Sequence, residues 1–254
     1  MATHRSPPYQ HHLAPLRPST LGADPSLEAP PLHLLIGGVS GSGKSQLAAA
    51  LAQRLGIYRV ISSDTVRQIM RALTSPQQMA ALYASSFEAC AVLASPGNAA
   101  PERVMAGFRV QATQVALGLQ AVVERAACER AALIVEGVHL VPGLLPQPRR
   151  NVLSVPLLLV VRSADEHRRR FLARAQETFG QRAAARYLGC FEEIRALQAG
   201  LEAAARELRV PVLESDAPEL LPRALGLIER AATSGGDTPT PPTPNDPPYR
   251  ATTP

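Results

Sequence analysis

The chain lacks tryptophan altogether, and aromatic residues make up only 4% of its 254 positions. A single-strand nucleic-acid platform needs exposed rings for bases to stack on, so that class is set aside. Lysine is almost missing too: of 26 basic residues one is lysine, Lys44, and the rest are arginine. The three cysteines, Cys90, Cys128 and Cys190, are widely spaced and form no Cys-x-x-Cys pair. That excludes a disulfide framework or a cysteine-rich zinc site and suits a reducing compartment. No apolar run approaches the ~20 residues that cross a bilayer. The N-terminus opens on His and Pro instead of a basic stretch followed by an apolar one, so no signal peptide is read. The expectation is a cytoplasmic protein with no membrane partner.

The formal charge of +5 and pI near 9.6 are spread along the chain, with one local cluster at Arg168-Arg169-Arg170 and Arg174. So mild a balance suits an enzyme with anionic substrates, and no nucleic-acid motif accompanies it. Residues 1–31 and 234–254 each carry seven prolines and few large apolar side chains. Such segments do not offset their ordering entropy, so both read as disordered tails, and His4, His11 and His12 as solvated side chains. Between them, residues 32–233 form one domain.

Within that domain short apolar runs alternate with helical patterns. Leu32–Ile36, Tyr58–Ile61, Leu133–Val135, Val155–Val161 and Val210–Leu213 read as strands. Helices are predicted over Lys44–Leu55, closed by Gly56, from Ser62-Ser63-Asp64 to Leu73, and over Ala164–Ala175 and Arg186–Leu208. A largely helical stretch runs to Arg130, broken near Ser95-Pro96-Gly97. Pro156 and Pro211 blur two strand starts. The pattern predicts an α/β fold: a five-stranded parallel sheet with helices on both faces and a helical lid.

Gly38-Val39-Ser40-Gly41-Ser42-Gly43-Lys44-Ser45 matches G-x-x-x-x-G-K-[ST], between a strand and a helix. In such a P-loop the glycines let backbone N–H groups turn inward on phosphates, Lys44 reaches the β/γ-phosphates and the Ser45 hydroxyl ligates Mg²⁺. Gly38, Ser40, Gly41, Ser42, Gly43, Lys44, Ser45 and Gln46 are therefore the expected ATP-binding set. A planar guanidinium would not fit inside such a loop, and the one lysine of the chain stands there.

Leu133-Ile134-Val135 ends in Glu136, a strand-end carboxylate suited to the metal or, more plainly, to capping a turn. Asp64 either caps its helix or faces the acceptor hydroxyl as a base. Arg67 and Arg71 share its helical face; they suit an anionic acceptor or form a solvated basic surface. Arg170 and Arg174 are the expected lid arginines, with Arg182 and Arg186 as further candidates. His139 either touches substrate or is a satisfied structural histidine.

These residues resemble 2-phosphoglycerate kinases. The resemblance rests on Gly37–Ser45, Arg54-Leu55-Gly56-Ile57, Ser63-Asp64-Thr65-Val66-Arg67 with Met70-Arg71, Ser85-Ser86-Phe87-Glu88-Ala89, Glu136-Gly137-Val138-His139-Leu140, Arg170-Phe171 with Arg174-Ala175, and Ile194–Gln198. It covers roughly residues 32–230. It implies a P-loop NTPase fold and ATP-dependent phosphorylation of the 3-hydroxyl of 2-phosphoglycerate, with Mg²⁺. It also puts Asp64, Arg67, Arg71, Glu88 and His139 on the acceptor side. Other readings are a kinase of the same fold acting on another sugar, polyol or inositol phosphate, and an ATP-binding module without turnover.

Overall fold

A computed structural model describes residues 29–93, 101–149, 151–177 and 184–234. Nearly all of both predicted tails, the break at Ser95-Pro96-Gly97, and Arg182 with the 178–183 part of the expected lid lie outside them. Strand β1 (Leu32–Gly37) leads through the phosphate loop into helix α1 (Lys44–Leu55). Strand β2 (Val60–Ser62) and helix α2 (Ser63–Leu73) follow, then two single 3₁₀ turns, Ala80–Tyr83 and Ala89–Val92, and the long helix α3 (Pro101–Cys128). Strands β3 (Leu133–Gly137) and β4 (Leu153–Val160) come next. Helices α4 (Ala164–Glu177), α5 (Ala184–Gly189) and α6 (Phe191–Glu207), strand β5 (Val212–Glu214) and helix α7 (Leu220–Thr233) complete the order.

The five strands are all parallel and lie in the order β2-β3-β1-β4-β5. Alternation along each strand divides the core in two. Leu34, Ile36, Ile134, Leu157 and Leu159 pack under α1 and α7 with Leu47, Leu51 and Ile228. Leu35, Leu133 and Val135 face α2 and α3 with Val66, Val115 and Leu119. Leu158 and Val160 join Phe108, Ile194, Leu197 and Leu201 on that same side. Burying large aliphatic side chains at about 1.5–3 kcal/mol each supplies the drive that so few aromatics leave to Leu, Val and Ile.

Several boundaries differ from the sequence-based expectation for identifiable reasons. Strand β2 starts at Val60, because Tyr58 is 96% exposed and nothing pairs with it at the sheet edge. Pro156 lies inside β4, yet β5 pairs only from Leu158 onward. On its other side Pro156 meets β1 at Leu35, so the missing N–H faces no strand. The helix expected over Arg186–Leu208 breaks between Gly189 and Phe191. Helix α7 has no counterpart in the sequence reading; Pro222 falls in its first turn, where a missing N–H costs nothing. Among the described residues no helix is long and apolar enough to cross a membrane.

One backbone position is tightly specified. Gly137, at the end of β3, has φ +150°, and a Cβ there would lie 1.8 Å from Ser63 Oγ and 2.6 Å from Ser63 Cβ. Gly137→Ala is expected to destabilise the protein by about 3 kcal/mol, combining overpacking and backbone strain. Urea unfolding checks this; an unchanged midpoint contradicts the close approach.

Candidate functional site

In a parallel sheet all strands end on one edge, and where the order reverses around β1 a crevice opens. The phosphate loop occupies that crevice, and its shape is held by its own backbone and by two residues of α4. Gly41 and Gly43 have φ +78° and +87°, and the Ser42 amide donates to the Val39 carbonyl at 3.2 Å. The Lys44 ammonium donates to the same carbonyl at 3.4 Å. His167, fully buried, donates from Nε2 to the Ser40 carbonyl at 2.7 Å and leaves no room for a side chain at Gly41. Burial lowers its pKa, opposed by that hydrogen bond, so the ring is neutral.

Arg170, expected in the cleft, is placed behind the loop instead. Its Nη1 donates to the Ser42 carbonyl at 3.3 Å and to Ser215 Oγ at 2.7 Å, while Glu166 pairs with its Nε at 2.8 Å. Arg174, one turn along α4, lines the cleft itself.

Across from the loop, β3 delivers Glu136. Ser45 Oγ donates to Glu136 Oε1 at 3.0 Å, and the other carboxylate oxygen is buried with no hydrogen-bond partner. An orphaned anionic oxygen beside a serine hydroxyl is a hard-oxygen pair that fits Mg²⁺. Among the described residues no group of three or more His, Cys, Asp or Glu is able to hold a metal alone. Two protein oxygens completed by phosphate oxygens is the usual arrangement for this ion.

The start of α2 shows which side chain caps the helix. Ser62 is the cap: its hydroxyl accepts from the amides of Asp64 and Thr65 at 3.1 and 3.3 Å. The Asp64 carboxylate is thus released from capping, 60% exposed, and opens on a cleft of about 510 Å³ together with Lys44, Ser45 and Glu136. Arg67 lines the same cleft, its Nε 3.6 Å from Asp64 Oδ1, and its Nη1 is anchored on the carbonyls of Leu82 and Ala84 at 2.9 and 2.8 Å. Burial lowers its pKa, partly opposed by Asp64.

Three expected acceptor residues stand elsewhere. Arg71 lies over the Tyr83 ring, 4.8 Å from its centroid, and bonds Gln68 at 3.1 Å, so it does not line the cleft. Glu88 pairs at 2.5 Å with Arg186, which does line it. The Ser85 hydroxyl and, against opposing burial, Arg186 hold Glu88 below the ordinary carboxylate range. His139 is 1% exposed, with Nδ1 2.8 Å from Ser63 Oγ and Nε2 3.1 Å from Gln111 Oε1. Burial lowers its pKa to about 4, so it is a neutral, satisfied histidine without access to a ligand. The sequence reading offered Ser62 among three capping candidates, and it missed His167 and Gln111. Only Gln111 left a signal, a polar residue in the apolar stripe Val104, Phe108, Val115, Leu119 of α3.

Chemically, one cleft joins the phosphate loop and the Ser45–Glu136 oxygen pair to the Asp64 carboxylate and the guanidinium groups of Arg67, Arg174 and Arg186. A second cavity of about 300 Å³, apolar and at the opposite end of the sheet, carries no such combination.

Residues 32–194 match a family model described as an AAA domain. The 2-phosphoglycerate kinase of Methanothermobacter thermautotrophicus is 34% identical over 209 residues, spanning 82% of this chain and 68% of that protein. That of Pyrococcus furiosus is 38% identical over 185 residues, spanning 73% and 59%. The chain thus spans about three-fifths to two-thirds of the length of these relatives. Among solved structures, shikimate kinase from Acinetobacter baumannii in complex with shikimate is 16% identical with a TM-score of 0.44, over 82% of this chain and 97% of that one. That likeness is too loose to carry chemistry across.

Proposed function

This chain belongs to the 2-phosphoglycerate kinase family, and on that premise we propose that it transfers the γ-phosphoryl group of ATP to the 3-hydroxyl of 2-phosphoglycerate, giving 2,3-bisphosphoglycerate and ADP. The observation that carries the reading is the shared cleft, lined by Lys44 and Ser45 together with Asp64, Arg67, Arg174 and Arg186. An acceptor bearing both a carboxylate and a phosphate matches several guanidinium forks, which bind such groups bidentately.

The phosphate loop binds and orients the triphosphate through its inward N–H groups, with Lys44 at the β/γ-phosphates. Arg170 and His167 keep that loop in shape. Ser45 and Glu136 would hold Mg²⁺, which when bound supplies charge neutralisation between the terminal phosphates. Asp64 accepts the proton of the acceptor hydroxyl as its oxygen bonds to the γ-phosphorus and the bond to the β–γ bridging oxygen breaks. Arg174 and Arg186 offset the charge spread over the equatorial oxygens in transit.

An ADP-release assay with 2-phosphoglycerate, with the product identified, tests the reading. Asp64→Asn is expected to lower kcat about a hundredfold with both KM values kept within about threefold. Absence of product at saturating 2-phosphoglycerate would sink the proposed acceptor, and an unchanged kcat in the variant would remove Asp64 as base.

A further inference from the structure

We propose that Gln111, buried and outside the lining of the cleft, is a positioning residue for the acceptor side of the cleft, acting through the hydrogen-bond chain Ser63–His139–Gln111–Ala81/Ala84. The inference rests on the acceptor reading above.

The chain has only one proton arrangement. The carbonyls of Ala81 and Ala84 can only accept, and they lie 2.5 and 2.9 Å from Gln111 Nε2, which must be the amide nitrogen that donates. Gln111 Oε1 therefore faces His139 and accepts from Nε2–H at 3.1 Å. A neutral ring protonated at Nε2 has an accepting Nδ1, so the Ser63 hydroxyl donates to it at 2.8 Å. Turning the Gln111 amide over would set its oxygen against two carbonyls.

What the chain connects gives it a function. Ser63 opens the helix that carries Asp64, and His139 lies in the turn that follows Glu136 and Gly137. Gln111 belongs to α3, and Ala81 and Ala84 lead into Ser85, Ser86 and Phe87 on the cleft wall. The Ala84 carbonyl is held from both sides, by Gln111 from the buried side and by Arg67 from the cleft side at 2.8 Å. Losing Gln111 leaves that carbonyl to Arg67 alone, so Arg67 and the wall stay joined to each other but lose their common tether to α3 and His139. Packing alone gives no reason for a fully buried amide in this stripe, since a residue such as Leu or Met suits the position without any polar partners.

Gln111→Met keeps length and volume while removing both ends of the link. It is expected to raise the KM for 2-phosphoglycerate about tenfold, with the KM for ATP and kcat within about twofold. Ser63→Ala, which cuts the far end, is expected to act in the same direction but less, and the double variant to fall short of the product of the two. Hydrogen exchange of the amides of residues 84–88 is expected to quicken in Gln111→Met while that of the phosphate loop is unchanged, a readout that needs no acceptor. Equal rises in both KM values, an unchanged acceptor KM, or unchanged exchange at residues 84–88 overturns the proposal. Should Gln111→Met fail to fold, Ser63→Ala decides by the same measurements. A wild-type protein inert toward 2-phosphoglycerate would instead refute the acceptor reading, and the exchange comparison would still decide the role of Gln111.

Discussion

Lys44→Arg is expected to lower kcat/KM for phosphoryl transfer by on the order of a thousandfold, although the charge is kept. Lys44 is the first residue of α1 and turns its ammonium back toward the Val39 carbonyl, 3.4 Å away, inside the curve of the loop. A guanidinium is planar and forked and needs flat space on both sides. The loop is packed against its neighbours and does not widen to accommodate one: a Cβ at Gly38 would meet the Leu159 carbonyl and Ser42 Oγ at 2.6 Å, and one at Gly41 would meet His167 at 2.8 Å. The larger head must either push out of the loop or displace the phosphates from it. A coupled ADP assay reads the loss, and a melting temperature within about 2 °C of wild type shows that the fold is intact. Lys44→Ala should lose a similar factor, because position matters as much as charge. Activity in Lys44→Arg within tenfold of wild type would contradict the steric account.

The second large effect is expected at Glu136. Glu136→Gln keeps an oxygen able to accept the Ser45 hydroxyl, now at 3.0 Å from Oε1, so the local hydrogen bond survives. What disappears is the negative charge on a buried carboxylate whose other oxygen has no hydrogen-bond partner. Removing it is expected to raise the Mg²⁺ concentration for half-maximal rate at least tenfold and to lower kcat about a hundredfold. Without nucleotide or metal the variant should be at least as stable as wild type, since a desolvated charge has been taken away. Mg²⁺ titration of the rate and urea unfolding measure the two halves. A wild-type Mg²⁺ dependence would show that Glu136 is not a cation ligand.

How far the sequence disclosed these parts depended on how local each one was. The phosphate loop was legible because its whole chemistry lies in eight consecutive residues between a strand and a helix. Glu136 was singled out by its place at a strand end, and the five parallel strands were found by their apolar runs. Asp64 could not be resolved from spacing, because Ser62 and Asp64 are both good capping residues and only the backbone path shows which one is used. Arg67 and Arg71 share a helical face, yet Tyr83 reaches over from a later turn and takes Arg71 out of the cleft. Arg170 and Arg174 share a face as well, but α4 runs past the loop so that one turn separates a loop brace from a cleft residue. Gln111 was hidden because its partners come from elsewhere in the chain, and only packing brings them within reach.

The bracing of the phosphate loop by His167 and Arg170 has a thermodynamic consequence. Ordering a flexible loop costs about 1–2 kcal/mol per residue, and a loop that curls only around its ligand meets that cost during binding. Here neighbouring side chains hold the carbonyls of Ser40 and Ser42 at 2.7 and 3.3 Å. The ordering cost is therefore met when the protein folds. Nucleotide association then carries a smaller conformational-entropy penalty from the loop, and that saving belongs to α4 and the turn after β5, neither of which contains any of the phosphate-loop motif.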